Sequence, residues 1–340
     1  MAEKVEITPE IQSRLDALAE KYEASGQELL AFLDGLLYQD YNTYWDYIHL
    51  DTLLSLQNPI TSFPDEEVFI MYHQITELYF KLSLHEISQL AEARGEVDGE
   101  TFVSKIQRIN RYFSALTHSF GVMERGMKRE EFLKFRMSLI PASGFQSVQY
   151  RMIEIGATDF INLVELPHRE ALREEAHDIP KLYQYVYWKK GATMADTGQK
   201  TLTLRQFEKK YSPKLLQMAR DYQECNIWQV YRSLPEEEQH KESTREQLRQ
   251  LDLNVNVNWP LQHYRTSAVY LAQRPNDILS TGGTNWQKYL PPRFQKRIFF
   301  PELWTAQEKE EWGKSWVQSV LEEAEEAPKP QGGAKQEEKL

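Results

Sequence analysis

Phe69-Ile-Met-Tyr-His73-Gln-Ile-Thr-Glu77-Leu-Tyr-Phe-Lys81 sets a histidine one helical turn after a phenylalanine inside a largely apolar run. Residues three and four apart share a helix face, so Phe69, His73 and Phe80 form one stripe with Thr76 and Glu77 beside it. A histidine in that position is either a core residue satisfied by a neighbouring carbonyl or a polar ring aimed into an aromatic pocket. The rest of the chain weighs toward the pocket, because it supplies a second such histidine, an arginine beside a phenylalanine and a Thr-Gly-Gly turn.

Outward from this segment the periodicity is helical almost everywhere and strands are hard to find, which predicts an all-α protein built as one large helical domain. Thr8 and Pro9 form an N-terminal cap signal for a helix to about Tyr22, and a second helix is predicted from Gly26 to Leu37. Tyr44 and Tyr47, three apart, share a face of the next segment. Pro59 and Pro64 interrupt the chain, and Asp65, Glu66 and Glu67 favour the start of the His73 helix through its dipole. That helix is predicted to reach Ala93, followed by a long helix from Gly99 to Glu124 and a short one from Arg129 that stops before Pro141. A helix restarts at Pro141, residues 157–250 read as helical, and the stretches 202–222 and 235–251 read as charged, solvated faces. The acidic, proline- and glycine-bearing residues 322–340 have the composition of a disordered tail.

Composition narrows the function classes. Hydrophobic residues make up 41% and aromatics 12%, enough to bury a core and to wall a pocket for a flat ligand. A net charge of -11, with the cations dispersed among carboxylates, argues against a nucleic-acid groove. The first residues lack the basic and apolar regions of a signal peptide, and no apolar run is long enough to span a bilayer, so no membrane association and a cytoplasmic location are expected. Cys225 stands alone, which fits a reducing compartment and excludes a cysteine-built zinc site within one chain.

The second histidine lies in Trp259-Pro-Leu-Gln-His263, where Pro260 is placed to begin a helix and Trp259 and His263 face the same way. Two such histidines on different helices suggest a metal pair or the two sides of a haem. A bare metal site is disfavoured by the lack of a His-x-x-x-His pair or carboxylate cluster around either one. The other six histidines sit in polar or periodic settings and read as ordinary. Phe132 and Arg136 are one turn apart, which places a guanidinium beside an aromatic face, able to grip a carboxylate through two parallel hydrogen bonds or to pair with Glu130 or Glu131 at the surface. Thr281-Gly-Gly283 is a turn whose backbone and hydroxyl suit closure over a ligand.

Taken in order, these blocks resemble the tryptophan 2,3-dioxygenase family from about Tyr44 to Trp304. The resemblance is carried by Tyr44-Trp-Asp-Tyr47-Ile-His-Leu-Asp, the His73 segment, Phe132-Leu-Lys-Phe-Arg136, Pro141-Ala-Ser143-Gly144-Phe-Gln-Ser-Val-Gln, Trp259 with His263, Thr281-Gly282-Gly, and Phe299-Phe-Pro-Glu-Leu-Trp304. It implies a helical enzyme containing haem b, usually a homotetramer, that inserts both atoms of O2 across the indole C2–C3 bond of L-tryptophan to give N-formylkynurenine. On this resemblance, residues 1–40 are an N-terminal helical segment that exchanges contacts between subunits, 41–321 the haem-binding catalytic domain, and 322–340 the tail.

The resemblance further implies that His263 ligates the iron and that His73 is the distal residue meeting the indole N–H. Phe69 would stack on the indole, Phe132 would line the pocket, and Arg136 would anchor the carboxylate. Thr281 and Gly282 would receive the ammonium and carboxylate end, and Tyr44 and Tyr47 would reach a neighbouring subunit's pocket. Trp259, Ser143 and Gly144 would border the haem. Two places depart from the family pattern: Pro260-Leu-Gln262 replaces basic residues before His263, and Thr284-Asn285, followed by Trp286, replaces a pair of small residues after the Thr-Gly-Gly turn. A haem monooxygenase acting on an aromatic amino acid or indole, and a non-catalytic haem-binding helical protein, are the alternatives at this stage.

Overall fold

A computed structural model describes residues 5–194, 197–272 and 290–314. Among the described residues the protein is all-α, with two isolated β-bridges and no strand. The chain divides into compact units of residues 1–57 and 58–340.

In the first unit, helix α1 spans Pro9–Glu23, begun by Thr8, whose hydroxyl accepts from the Ile11 N–H at 3.4 Å. Helix α2 spans Leu29–Tyr38, and Tyr22 of α1 stacks on Phe32 of α2 with ring centroids 3.8 Å apart. Two single turns follow, α3 (Tyr44–Tyr47) and α4 (Leu50–Leu53). None of the four helices buries a residue, although α2 reads Leu-Leu-Ala-Phe-Leu-Asp-Gly-Leu-Leu-Tyr.

The second unit is organised on two long helices, α5 (Asp65–Glu92) and α6 (Gly99–Gly126). Glu66 accepts from the backbone N–H groups of Ile60 and Thr61 at 2.9 and 2.8 Å, folding the Pro59–Pro64 stretch onto the first turn of α5. The contacts Tyr72–Phe120, Phe80–Phe113 and Glu86–Lys105 run in opposite order along the two helices, which are therefore antiparallel. Phe102, Ile106, Ile109, Phe113 and Leu116 of α6 are fully buried, and each such side chain contributes about 1.5 to 3 kcal/mol of transfer free energy.

Helix α7 (Arg129–Phe135) is tied to the start of α5 by the Lys128 N–H donating to Asp65 at 2.6 Å. A 3-10 turn, Arg136–Leu139, ends before Pro141 as the sequence predicts. Helix does not resume at Pro141: Ser143 and Ser147 each cap a new start, a 3-10 turn at Gly144–Gln146 and helix α8 at Val148–Ala157. Helix α8 lies tightly on α5 at Gly156, where an added Cβ would stand 2.7 Å from Ile87 Cγ2.

The predicted helical run of residues 157–250 is in fact broken. Between Phe160 and Gly191 there are only short helical turns, two of them with Pro167 or Pro180 in their first positions. Helices α9 (Leu202–Asp221), α10 (Ile227–Ser233) and α11 (Glu242–Leu253) follow. Their charged faces hide buried stripes, with Leu204, Phe207 and Leu215 on α9 and Leu248, Leu251 and Asp252 on α11.

A π-helical turn, Asn254–Asn258, joins α11 to helix α12 (Trp259–Leu271). Asn254 and Asn258 both have right-handed helical backbone, so Pro260 does not open a separate helix as predicted; it lies near the start of α12 within a continuous rod. Proline's ring clashes with the carbonyl four residues earlier and removes a donor, and the wider turn accommodates both. Carboxamides secure it: Asn254 donates to Asn110 on α6 at 3.1 Å and accepts from Gln250 and Asn258 at 3.0 and 2.9 Å. Asn110 in turn donates to Gln247 O at 3.0 Å.

Candidate active site

The site grows from α5, α6, α7 and α12, which share an aromatic cluster separate from the main core. Tyr72, Phe120, Met123, Met127, Tyr264, Tyr270 and Leu271 are its buried members. Helix α12 packs on α6 and α7, and α6 packs on α5, so histidines on α5 and α12 converge around α6.

His73 lies against Phe69, ring centroids 4.1 Å apart, and edge-on to Tyr72 at 6.0 Å. Phe120 bridges to the other histidine: it stands 5.7 Å from Tyr72, 5.9 Å from His263 and 4.6 Å from Trp259. On the far side of Phe69 lie Phe132 at 6.1 Å and Phe135 at 5.8 Å, and Phe132 reaches Tyr270 at 4.8 Å. Tyr270 anchors α12 by donating its hydroxyl to the carbonyls of Met123 and Met127.

The two histidines differ in hydrogen bonding. His73 Nδ1 lies 2.7 Å from the Phe69 carbonyl, which can only accept, so Nδ1 carries the proton and Nε2 presents a lone pair. Burial lowers the His73 pKa, partly offset by that hydrogen bond and by the Glu77 charge one turn on. Glu77 is itself held by Gln149 of α8, which donates to its carboxylate at 2.8 Å and its carbonyl at 2.9 Å. His263 makes no hydrogen bond among the described residues, and burial together with the nearby His73 pushes its pKa down to about 4. Both rings are therefore neutral at physiological pH, and both are half-buried.

Arg136 is buried directly after Phe135, and burial pulls its pKa below the ordinary guanidinium range. It is not the surface ion pair that the sequence left open: Glu131 pairs instead with Lys128 at 3.1 Å. The structure thus brings Phe69, His73, Phe132, Arg136, Trp259 and His263 onto neighbouring helices of one unit. Ser143 and Gly144 open the 3-10 turn before α8, where Gln146 donates to the Ser143-capped loop's neighbour Thr203 at 3.3 Å; neither makes a contact with the two histidines among the described residues. Tyr44 and Tyr47 belong to the first unit, 70% and 74% exposed. Thr281 and Gly282, with the Thr284-Asn285-Trp286 departure, lie outside the described residues.

The donor set suits a haem rather than a chelated ion. No group of three or more His, Cys, Asp or Glu side chains stands together among the described residues. A neutral imidazole with an uncommitted lone pair beside aromatic rings would suit an iron whose remaining nitrogen ligands come from a porphyrin.

A family model described as tryptophan 2,3-dioxygenase matches residues 37–159. The chain is 31% identical over 281 residues to a tryptophan 2,3-dioxygenase of Caulobacter vibrioides, covering 78% of this chain and 98% of that one. The chain belongs to the tryptophan 2,3-dioxygenase family. A second relative of that name, from Bradyrhizobium diazoefficiens, is 28% identical over 77% of this chain and 90% of its own length. A third, from Ruegeria, is 39% identical over a shorter stretch, 34% of this chain and 42% of its own. The matched region of the family model contains Tyr44, Tyr47, Phe69, His73, Phe132, Arg136, Ser143 and Gly144, whereas His263 lies beyond it.

Other structural features of the site were not anticipated from the sequence. Asp252, at the end of α11, accepts from the Phe299 and Phe300 N–H groups at 2.9 and 3.1 Å, from Trp304 Nε1 at 3.0 Å and from Asn256 at 2.7 Å. It ties the Phe299-to-Trp304 block to the rod that carries His263. Burial pushes its pKa up to about 6 against the pull of those four donors. Tyr72 and Tyr270 were visible as neighbours of the two histidines, adjacent to His73 and two turns after His263, but only the packing shows what they touch.

Proposed function

We propose that this protein is a haem dioxygenase that inserts both atoms of O2 across the indole C2–C3 bond of L-tryptophan to give N-formylkynurenine. The observation that carries the reading is the pair of half-buried, neutral histidines on α5 and α12, each against a phenylalanine of one aromatic cluster, within a chain of this family. His263 would hold haem b, with Trp259, Ser143 and Gly144 bordering it, and the group would supply the O2 chemistry that side chains lack.

The chain's own residues bind and orient. Phe69 and Phe132 form apolar walls for the indole, and Arg136 offers a buried cation to the amino-acid carboxylate. His73 Nε2 accepts the indole N–H; because Nδ1 is committed to Phe69 O, the ring cannot present its other nitrogen without losing that bond. A neutral acceptor suits an N–H that is far too weak an acid to be fully deprotonated by imidazole. Thr281 and Gly282 receive the ammonium and carboxylate end.

We further propose a cytoplasmic homotetramer in which Tyr44 and Tyr47 complete a neighbouring subunit's pocket. Support comes from the first unit, where an apolar helix and two tyrosines remain without burial. No helix among the described residues is long and apolar enough to cross a membrane. The test is aerobic incubation of reduced, haem-loaded protein with L-tryptophan. Accumulation of N-formylkynurenine supports the assignment, a hydroxylated indole product supports a monooxygenase instead, and no product supports a haem-binding protein without this activity.

A further inference from the structure

Thr266 sits three residues after His263 on α12, on the same helix face, and is only 6% exposed. Its hydroxyl is buried and has no hydrogen-bond partner. Threonines inside helices here bond back to the carbonyl four residues earlier: Thr76 donates to Tyr72 O and Thr117 to Phe113 O, each at 2.9 Å. Thr266 makes no such bond to Gln262. Thr244 is also buried without a partner, but it lies in the first turn of α11, separated from the preceding helical turn by the break at Lys241. The unpartnered hydroxyl of Thr266 is thus particular to the helix interior beside His263.

His263 has the complementary deficit. A histidine that ligates a metal through one ring nitrogen nearly always donates its other N–H to an acceptor, which fixes ring orientation and raises its basicity. None is supplied to His263 among the described residues. Helical side chains lean toward the N-terminus of their helix, so Thr266 inclines back over the turn that bears His263. Side chains at this spacing have Cβ atoms about 5 to 6 Å apart, a gap that one water spans with hydrogen bonds at both ends.

We propose that Thr266 is a positioning residue for His263, its hydroxyl accepting, through one bridging water, the imidazole N–H that faces away from the iron. The assignment rests on the haem reading given above. A neutral hydroxyl–water acceptor holds the ring in one tautomer without the charge of a carboxylate partner, so His263 stays an imidazole and not an imidazolate.

Haem-loaded wild-type, Thr266→Val and Thr266→Ser proteins test it. Valine keeps the shape and removes the acceptor; serine keeps the acceptor. In the substrate-free ferrous state, the iron–histidine stretching band is expected to fall in frequency in the valine variant and to return to the wild-type position in the serine variant. Haem affinity should drop about tenfold with valine, within the range seen when a ligand's outer partner is removed. The ferric/ferrous midpoint potential should rise, by about 59 mV if the ratio of ferric to ferrous affinity changes tenfold. The valine apoprotein should be no less thermally stable than wild type, since a buried unpaired hydroxyl has been removed. A wild-type band and potential in Thr266→Val would overturn the proposal, as would equal shifts in both variants, which would mark a packing effect. A wild-type protein that binds haem without an iron–histidine band, or binds none, overturns the haem reading itself and this proposal with it.

Discussion

Replacing His73 with alanine separates an orienting hydrogen bond from an obligatory base. In the structure Nδ1 is already engaged with the Phe69 carbonyl at 2.7 Å, which leaves Nε2 as the ring's single acceptor, the atom proposed to meet the indole N–H. Loss of one such bond, in a cavity where water can enter, costs about 1 to 3 kcal/mol, or about 5- to 150-fold in kcat/KM for tryptophan. Haem should be retained, because the proposed iron ligand, His263, lies on a different helix. The pH profile carries the same information. Protonated His73 cannot accept the N–H, so turnover falls as pH drops through its pKa. Burial holds that pKa below the ordinary 6.5, so the rate should stay flat above that value and decline only at lower pH. The Glu77 charge raises the pKa, so Glu77→Gln should move the acid limb to still lower pH. Steady-state kinetics across pH, with haem occupancy and tryptophan binding measured on the same samples, check each step. Complete inactivity with haem and substrate bound would refute the orienting role in favour of an obligatory base. An unchanged rate would remove His73 from the site, and loss of haem would show that the two histidines' roles are reversed.

Arg136→Leu should lower kcat/KM for tryptophan by about 30- to 1000-fold, the cost of about 2 to 4 kcal/mol for a lost charge-assisted contact, while far-ultraviolet circular dichroism stays unchanged. An unaltered kcat/KM in folded protein contradicts the carboxylate assignment. Asp252→Asn places an amide donor among four donors and should destabilise folding by about 1 to 3 kcal/mol, read as a lower denaturant midpoint. His263→Ala should abolish the Soret band of bound haem. In the apoprotein, the lowered pKa of His263 means that the unfolded chain takes up its proton first; this residue's share of stability is intact above about pH 6.5 and is lost as pH falls toward about 4, by about 3 kcal/mol in total. Denaturation of wild-type and His263→Ala apoproteins across that window should show the difference, and parallel pH curves contradict it.

The all-α class and the long helices α5 and α6 were legible because their apolar residues recur at helical spacing over many turns. His73 and Arg136 each follow a phenylalanine by one turn; the structure keeps the first pair together, ring centroids 4.1 Å apart, and buries Arg136 in the 3-10 turn after α7. Their meaning came from the order of several motifs, since a single buried histidine is most often satisfied locally, and His73 does in fact bond to Phe69 O. What sequence spacing did not reveal depends on long-range packing. Pro260 looked like a helix start because proline favours that position, but the π turn removes its steric penalty and keeps the rod continuous. Asp252 lies just beyond the charged stretch 235–251, and only the arrival of Phe299, Phe300 and Trp304 makes it a buried anchor. Proline-interrupted turns between residues 160 and 191 likewise carry apolar residues at spacings that mimic longer helices.

The most direct test of the central claim is turnover of L-tryptophan by reduced, haem-loaded protein under an equal mixture of 16O2 and 18O2, with the isotopic composition of the first-formed product read by mass spectrometry before its carbonyl oxygens exchange with water. A dioxygenase takes both atoms from one O2 molecule, so the product should be N-formylkynurenine carrying either two light or two heavy oxygens. A product with one oxygen from O2, or with light and heavy atoms mixed within the same molecule, contradicts the account.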